Sequence, residues 1–177
     1  MRASPPIRAV CAFFMALSFA ALGASGAAGL LALLCGACLV AMAAGVVCDM
    51  KARMIPIECC AALALVGAAL QFHASGIAAV AFGCVAAIVV VAACALANRF
   101  LAKGGAWAIG GGDVRCMAAL CLASGAACPV GLAACYGAAA LYSLAGMALG
   151  KLRPRDGVPM APFLALWLVA GIIAIAM

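Results

Sequence analysis

The chain has 177 residues, of which 72% are hydrophobic and 8% charged, whereas soluble domains contain about 45–50% apolar and about 25% charged residues. This composition excludes an ordinary soluble domain and predicts a single all-α polytopic membrane domain. The formal charge of +6 comes from ten basic and four acidic residues in short loops. We therefore expect no nucleic-acid partner, because such binding needs a basic surface on a soluble domain.

Seven apolar runs approach the length of about 20 residues that a membrane-spanning helix needs. In chain order they are approximately Val10–Ala24, Ala27–Cys48, Ile57–Phe72, Ile77–Ala97, Ala106–Ser124, Pro129–Gly150 and Ala161–Met177. The first run follows a basic arm and ends in small residues, so a cleaved signal segment is the alternative to a retained helix. We predict about seven transmembrane helices, with residues 1–26 as N-terminal arm and first helix.

The basic residues indicate how these helices are oriented. The turns after the first, third and fifth runs contain no Lys or Arg. All ten basic residues fall in the remaining segments, namely Arg2, Arg8, Lys51, Arg53, Arg99, Lys103, Arg115, Lys151, Arg153 and Arg155. By the positive-inside rule, the side that carries them is cytoplasmic.

The twelve cysteines do not predict a metal or redox site. Most of them lie inside apolar runs, where a thiol behaves as a small buried hydrophobe. Cys35 and Cys38 form a C-x-x-C pair, but no second pair accompanies it. We therefore predict helix packing for the cysteines, and neither a metal nor a cofactor.

The four acids are the candidates for chemistry, because a carboxylate at a helix centre costs about 2.5–3.5 kcal/mol on insertion scales. Asp49 closes the second run and Asp113 follows the sequence AIGGG, so both lie at the predicted cytoplasmic boundary. Two carboxylates that meet can share a proton, since like charges in close contact do not both ionise readily. One acid can then activate water while its partner protonates a leaving group.

The glycines at 110–112 are consistent with such a site. Without Cβ atoms, their backbone can adopt unusual dihedral angles and let an extended substrate approach closely. Alone, however, GGGD also matches a flexible loop with Asp113 as the N-cap of the next helix. Asp49 alone also matches a loop acid paired with its basic neighbours.

Four other residues have simpler interpretations. His73 lies in a charge-free external turn and is interpreted as interfacial. Glu58 begins the third run, where an acid stabilises a helix N-terminus, with substrate contact as the alternative. Asp156 is a loop acid among basic residues, and Trp107 is an interfacial anchor or, alternatively, part of a substrate groove.

Three motifs occur in order along the chain: DMKARMIP from Asp49 to Pro56, GGGDVR from Gly110 to Arg115, and GVPMAPFLAL from Gly157 to Leu166. Together they resemble the type IV prepilin (leader) peptidases, which belong to the G-x-G-D membrane aspartic peptidases. The first resembles the segment where a catalytic Asp precedes a basic loop with Ile-Pro, and the second resembles the G-x-G-D signature. The third is similar to the entrance to the family's last helix, although Met160 and Ala161 replace the commoner Phe-Gly.

The resemblance covers residues 27–177 and implies a six-helix membrane aspartic peptidase domain with Asp49 and Asp113 as catalytic acids. It gives substrate-binding or supporting roles to Gly110, Gly112, Lys51, Arg53, Pro56, Arg115, Pro159 and Pro162. The implied reaction is metal-free cleavage of the N-terminal leader of prepilin-like or pseudopilin precursors, at the cytoplasmic face of a bacterial plasma membrane. The partners would be these precursors and membrane lipid.

Two further points bear on this interpretation. Long members of the family also N-methylate the new terminus and carry a cytoplasmic segment with two C-x-x-C pairs. This sequence contains no such segment, so methylation is not supported. A small ion-coupled transporter and a noncatalytic assembly protein remain as alternatives, because acids near membrane helices also serve as ion sites.

Overall fold

The computed structural model describes residues 27–101, 109–150 and 158–176, and in these ranges the chain is helical, with no strand. The helices are α1 Ala27–Ala52, α2 Ile57–Ser75, α3 Ile77–Leu101, α4 Gly111–Ser124, α5 Cys128–Ala148 and α6 Ala161–Ala176. A 3₁₀ turn, Gly125–Ala127, joins α4 to α5. Several residues named above lie outside the described ranges. They are those of the first predicted run and Arg2, Arg8, Lys103, Trp107, Lys151, Arg153, Arg155, Asp156 and Gly157.

Four helical stretches of the described chain are long and apolar enough to cross a membrane. They are Gly29–Ala52, Ile57–Ser75, Ile77–Phe100 and Gly111–Ala148, the last of which comprises α4, the 3₁₀ turn and α5. The apolar stretch Ala161–Ile175 of α6 is shorter. This all-helical, apolar architecture is that of a membrane protein.

The start of α4 differs from the sequence prediction. A helical run from Ala106 is predicted, but Ile109 and Gly110 are not helical and α4 begins at Gly111. Three consecutive glycines weaken helix formation at this point, since glycine loses more conformational freedom on folding than any other residue. Side-chain bonds to Ile109, described below, also hold the chain outside the helix.

Local backbone chemistry ends α1 and starts α2. Arg53 has a φ of 53°, and its N–H donates a 2.7 Å hydrogen bond to the carbonyl oxygen of Asp49. This is the left-handed cap that commonly terminates a helix, here made by a residue other than glycine. Pro56 then occupies the N-cap position of α2 with extended backbone angles. The four-residue link 53–56 therefore makes a tight connection.

The short helix α4 lies at the centre of the bundle. It packs against α2, α3 and α6, and residues such as Met117, Leu120 and Cys121 are fully buried on it. Small residues allow the closest approaches: a Cβ atom on Gly67 of α2 would lie 2.6 Å from the Cβ of Ala123 on α4. Glycine at such a contact lets helix backbones approach in the absence of a hydrophobic driving force between helices.

Contacts along the helices establish their directions. The chain reverses at Gly76, so that α3 runs antiparallel to α4, with Gly83 near Cys121 and Asn98 bonded to Ile109. The helix α5 folds back along α4, since the Tyr136 hydroxyl lies 3.3 Å from Met117 Sδ. The end of α1, the start of α2, the end of α3 and the start of α4 therefore share one end of the bundle, which we call the acid end.

Candidate active site

Asp49 lies in the last turn of α1 at the acid end. Its side chain is 7% exposed, and its Oδ2 atom is buried without a hydrogen-bond partner among the described residues. Burying an ionised carboxylate is costly unless a charge, a proton or hydrogen bonds compensate. Asp49 is therefore not the solvated loop acid of the simpler interpretation, and its carboxyl group needs a partner.

Asp113 occupies the third position of α4 and is half-buried. The N-cap of this helix is Gly110, so the interpretation of Asp113 as an N-cap residue is wrong. The carboxyl group folds back over the helix start, because a Cβ atom on Gly110 would lie 3.2 Å from Asp113 Oδ2. An acid in the first turn is favoured there by the positive end of the helix dipole.

Ile55 lies between the helices of the two acids, with its side chain toward α1 and its backbone toward α4. A Cβ atom on Gly45, one turn before Asp49, would lie 3.6 Å from Ile55 Cγ2. A Cβ atom on Gly112, next to Asp113, would lie 3.5 Å from the Ile55 backbone nitrogen. The end of α1 and the start of α4, which carry the two acids predicted as a pair, therefore meet around Ile55. The pairing of the acids in catalysis stays a prediction.

Sulfur atoms pack behind this pair. The thiol of Cys116 on α4 donates to the Met42 thioether on α1 across 4.0 Å. Cys60, in the first turn of α2, is the third sulfur-bearing residue at this end of the bundle. All three side chains are buried. The inner wall of the site is therefore apolar and polarizable, which strengthens electrostatic interactions in the site.

The three glycines have different surroundings. The described glycines with positive φ are Gly76, Gly125 and Gly150, so the expectation of unusual dihedral angles at 110–112 is wrong. Gly110 has φ −63° and ψ 140°, angles open to any residue. A Cβ atom on Gly112 would be in ordinary van der Waals contact with Ile55, at 3.5 Å from its nitrogen, whereas a Cβ atom on Gly111 would meet nothing within 4 Å. Gly110 and Gly111 are exposed, so the site is open beside Asp113.

The other residues predicted to support the site are spread around the acid end. Lys51 and Arg53 are exposed at the end of α1, and Arg115 is exposed on the first turns of α4. Pro56 is buried between α1 and α2. Pro159 precedes α6 and Pro162 lies in its first turn, and α6 packs against both α1 and α4.

Asn98 is a component of this region that motif analysis misses. Its Oδ1 atom accepts a 2.7 Å hydrogen bond from the Ile109 N–H, and its Nδ2 atom donates a 3.2 Å bond to the Ile109 oxygen. The available sequence signal is that Asn98 is the sole asparagine of the chain and directly follows the apolar run Ile77–Ala97. A polar residue in that setting needs a partner.

The remaining candidate residues are not part of the site around Asp49 and Asp113. Glu58 is in the first turn of α2, as predicted, and His73 is exposed in its last turn with its ring edge-on to Phe72. Cys35 and Cys38 are free thiols on α1. Among residues in the three described ranges, no group of three or more His, Cys, Asp or Glu side chains is arranged to hold a metal ion.

No protein-family model, curated protein or solved structure matches the chain. The elements of the candidate site are a buried carboxyl group with an unsatisfied oxygen, a second, half-buried carboxyl group at the same end of the bundle, and an exposed glycine edge beside the second acid. This combination suits proton transfer to and from a group bound at the glycine edge.

Proposed function

We propose that the chain is a membrane aspartic endopeptidase in which Asp49 and Asp113 activate a water molecule. The observation that carries the proposal is a buried Asp49 carboxyl group with an unsatisfied oxygen, at the end of the bundle where α4 begins and Asp113 is half-buried. In that reaction one carboxylate removes a proton from water, the oxygen attacks the scissile carbonyl, and the protonated partner donates to the leaving amine. No covalent enzyme intermediate forms.

The open side of the site supports a peptide substrate. Scissile peptides bind proteases in extended form, and such a strand needs space along its backbone. Gly110 and Gly111 are exposed next to Asp113, and Gly111 has no neighbour within 4 Å of a Cβ position. We propose that the residues around the scissile bond lie over this edge, while an apolar helix of the substrate lies in lipid against the bundle.

The proposed substrates are prepilin-like or pseudopilin precursors, whose N-terminal leader would be removed at the cytoplasmic face of a bacterial plasma membrane. This follows from the resemblance of the three motifs to prepilin peptidases and from the one-sided distribution of Lys and Arg. The topology that belongs to this proposal has about seven spans, six of them forming the peptidase domain. The acid end would then face the cytoplasm.

Co-expression with a pilin-like precursor tests the proposal. Wild-type enzyme should shift the precursor to its mature size, and Asp49→Asn and Asp113→Asn should each abolish the shift. Asp156→Asn removes an acid from a basic loop segment and serves as the control that retains processing. Mature precursor in either of the first two variants, at wild-type enzyme levels, would contradict the two-acid mechanism.

The buried Asp49 carboxyl group also suits a second function, an ion-coupled carrier. Membrane acids in apolar surroundings serve as proton or cation sites. A carrier would dissipate a pH gradient in proteoliposomes without cutting any precursor, and Asp49→Asn would block that flux. Leader cleavage without flux would exclude it.

A further inference from the structure

The connection between Asn98 and Ile109 links α3 to the start of the candidate site. Asn98 lies near the end of α3 and is 9% exposed. Its amide group both accepts from the N–H and donates to the carbonyl oxygen of Ile109. Both polar main-chain groups of one residue are thus held by one side chain, which fixes the position and the rotation of that peptide segment.

The held segment leads directly to Asp113. Gly110 follows Ile109, and its carbonyl oxygen accepts a 3.1 Å bond from the Val114 N–H, the first turn of α4. A Cβ position on Gly110 is 3.2 Å from Asp113 Oδ2. Asn98 is therefore connected to Asp113 through its two bonds to Ile109 and through Gly110, which begins the first turn of α4 and lies beside the carboxyl group.

We propose that Asn98 is a positioning residue for the proposed peptidase reaction, which holds Ile109 so that Gly110 sets the orientation of the Asp113 carboxyl group. This inference rests on the proposed function. Asn98 does not touch the reacting atoms. Its bonds also occupy the main chain of Ile109, so the exposed edge available to an extended substrate begins at Gly110.

A second buried amide, Gln71, provides a control that separates a loss of stability from a loss of positioning. Gln71 lies at the opposite end of the bundle, is 1% exposed, and donates a 2.7 Å bond from Nε2 to the Ala123 carbonyl oxygen. Gln71→Leu and Asn98→Leu each remove a buried amide that bonds the main chain. Both variants should lower the thermal midpoint in detergent, because a buried carbonyl loses its donor.

Only Asn98→Leu should change catalysis per folded molecule. We expect kcat to fall by about tenfold to a hundredfold with little change in KM, since small displacements of a catalytic group have effects of this size. Asn98→Asp keeps the acceptor for the Ile109 N–H and loses the donor, so its kcat should lie between wild type and Asn98→Leu. Gln71→Leu should keep the wild-type kcat per folded molecule.

A second measurement does not depend on peptidase activity. The rate at which a water-soluble carbodiimide modifies Asp113 should change in Asn98→Leu and stay at the wild-type value in Gln71→Leu. Wild-type enzyme that fails to cleave precursor would contradict the proposed function alone. An unchanged Asp113 modification rate in folded Asn98→Leu, or an unchanged kcat, would overturn the role of Asn98.

Discussion

The backbone of Ile55 lies directly against Gly112, with its nitrogen 3.5 Å from the position that a Cβ atom would take there. The same residue inserts its side chain toward Gly45 on α1, where a Cβ atom would lie 3.6 Å from Cγ2. One isoleucine of a short link thus spaces the helix of Asp49 from the helix of Asp113. The relative position of the two acids therefore depends on the packing of an apolar residue that takes no part in proton transfer.

Replacing Ile55 with alanine should therefore impair both stability and cleavage. Ile55 is 8% exposed, and truncating a buried Ile typically costs about 2–5 kcal/mol through lost contacts and the cavity left behind. Unfolding in detergent and precursor cleavage per folded molecule measure the two effects. Ile57→Ala is the control, because Ile57 is 52% exposed. Equal losses of stability and of cleavage in Ile55→Ala and Ile57→Ala would contradict the role of Ile55 in spacing α1 from α4.

Gly110→Ala should lower cleavage while leaving the fold intact. The backbone angles at Gly110 suit alanine, but the new methyl group would lie 3.2 Å from Asp113 Oδ2, so the carboxyl group must move by a few tenths of an ångström. We expect kcat to fall by about tenfold. Gly137→Ala on α5, outside the candidate site, is the control, since its methyl group meets nothing within 4 Å. The prediction fails if the two variants have the same kcat.

Arg53→Gly should stabilise the protein. Arg53 holds a left-handed conformation with φ 53°, which costs a residue with a Cβ atom about 1–2 kcal/mol relative to glycine. The thermal midpoint in detergent should rise, and the free energy of unfolding should increase by about 1 kcal/mol. Arg53→Ala removes the charge and keeps the strain, so it should show no such gain. A gain of equal size in both variants would assign the effect to the charge.

Gly67→Ala should disrupt the packing of α2 on α4. The added methyl carbon would lie 2.6 Å from the Cβ and 2.7 Å from the Cα of Ala123, so the helix backbones must separate. Overpacking of this kind costs about 1–3 kcal/mol. Gly36→Ala introduces the same methyl group in the interior of α1 where nothing lies within 4 Å, so it should cause no loss and should slightly raise stability through helix propensity. Thermal unfolding of the two variants compares them directly.

The sequence predicts the helices well because long apolar runs between polar turns leave few alternatives. α2 and α6 begin at Ile57 and Ala161, as the runs indicate. The charge distribution predicts that Asp49 and Asp113 lie at one boundary, and their pairing as catalytic acids stays a prediction. The start of α4 at Gly111 is not foreseen from the sequence, because it depends on bonds from Asn98 to Ile109 across a separate helix. The spacing of the two helices by Ile55 cannot be predicted from the sequence for the same reason. It arises where α1, the link 53–56 and α4 meet in the fold.

The brevity of α4 has a consequence for the depth at which Asp113 lies. With 14 residues, this helix is about 21 Å long, shorter than the hydrocarbon core of about 30 Å. The helices α2 and α3 that pack around it have 19 and 25 residues, so the central helix by itself is too short to reach both membrane surfaces. Non-helical backbone at membrane depth is tolerated where protein encloses it or where it lines a water-filled cavity. Ile109 and Gly110 would then form the floor of a recess between longer helices, in which a scissile peptide meets Asp113 without entering lipid.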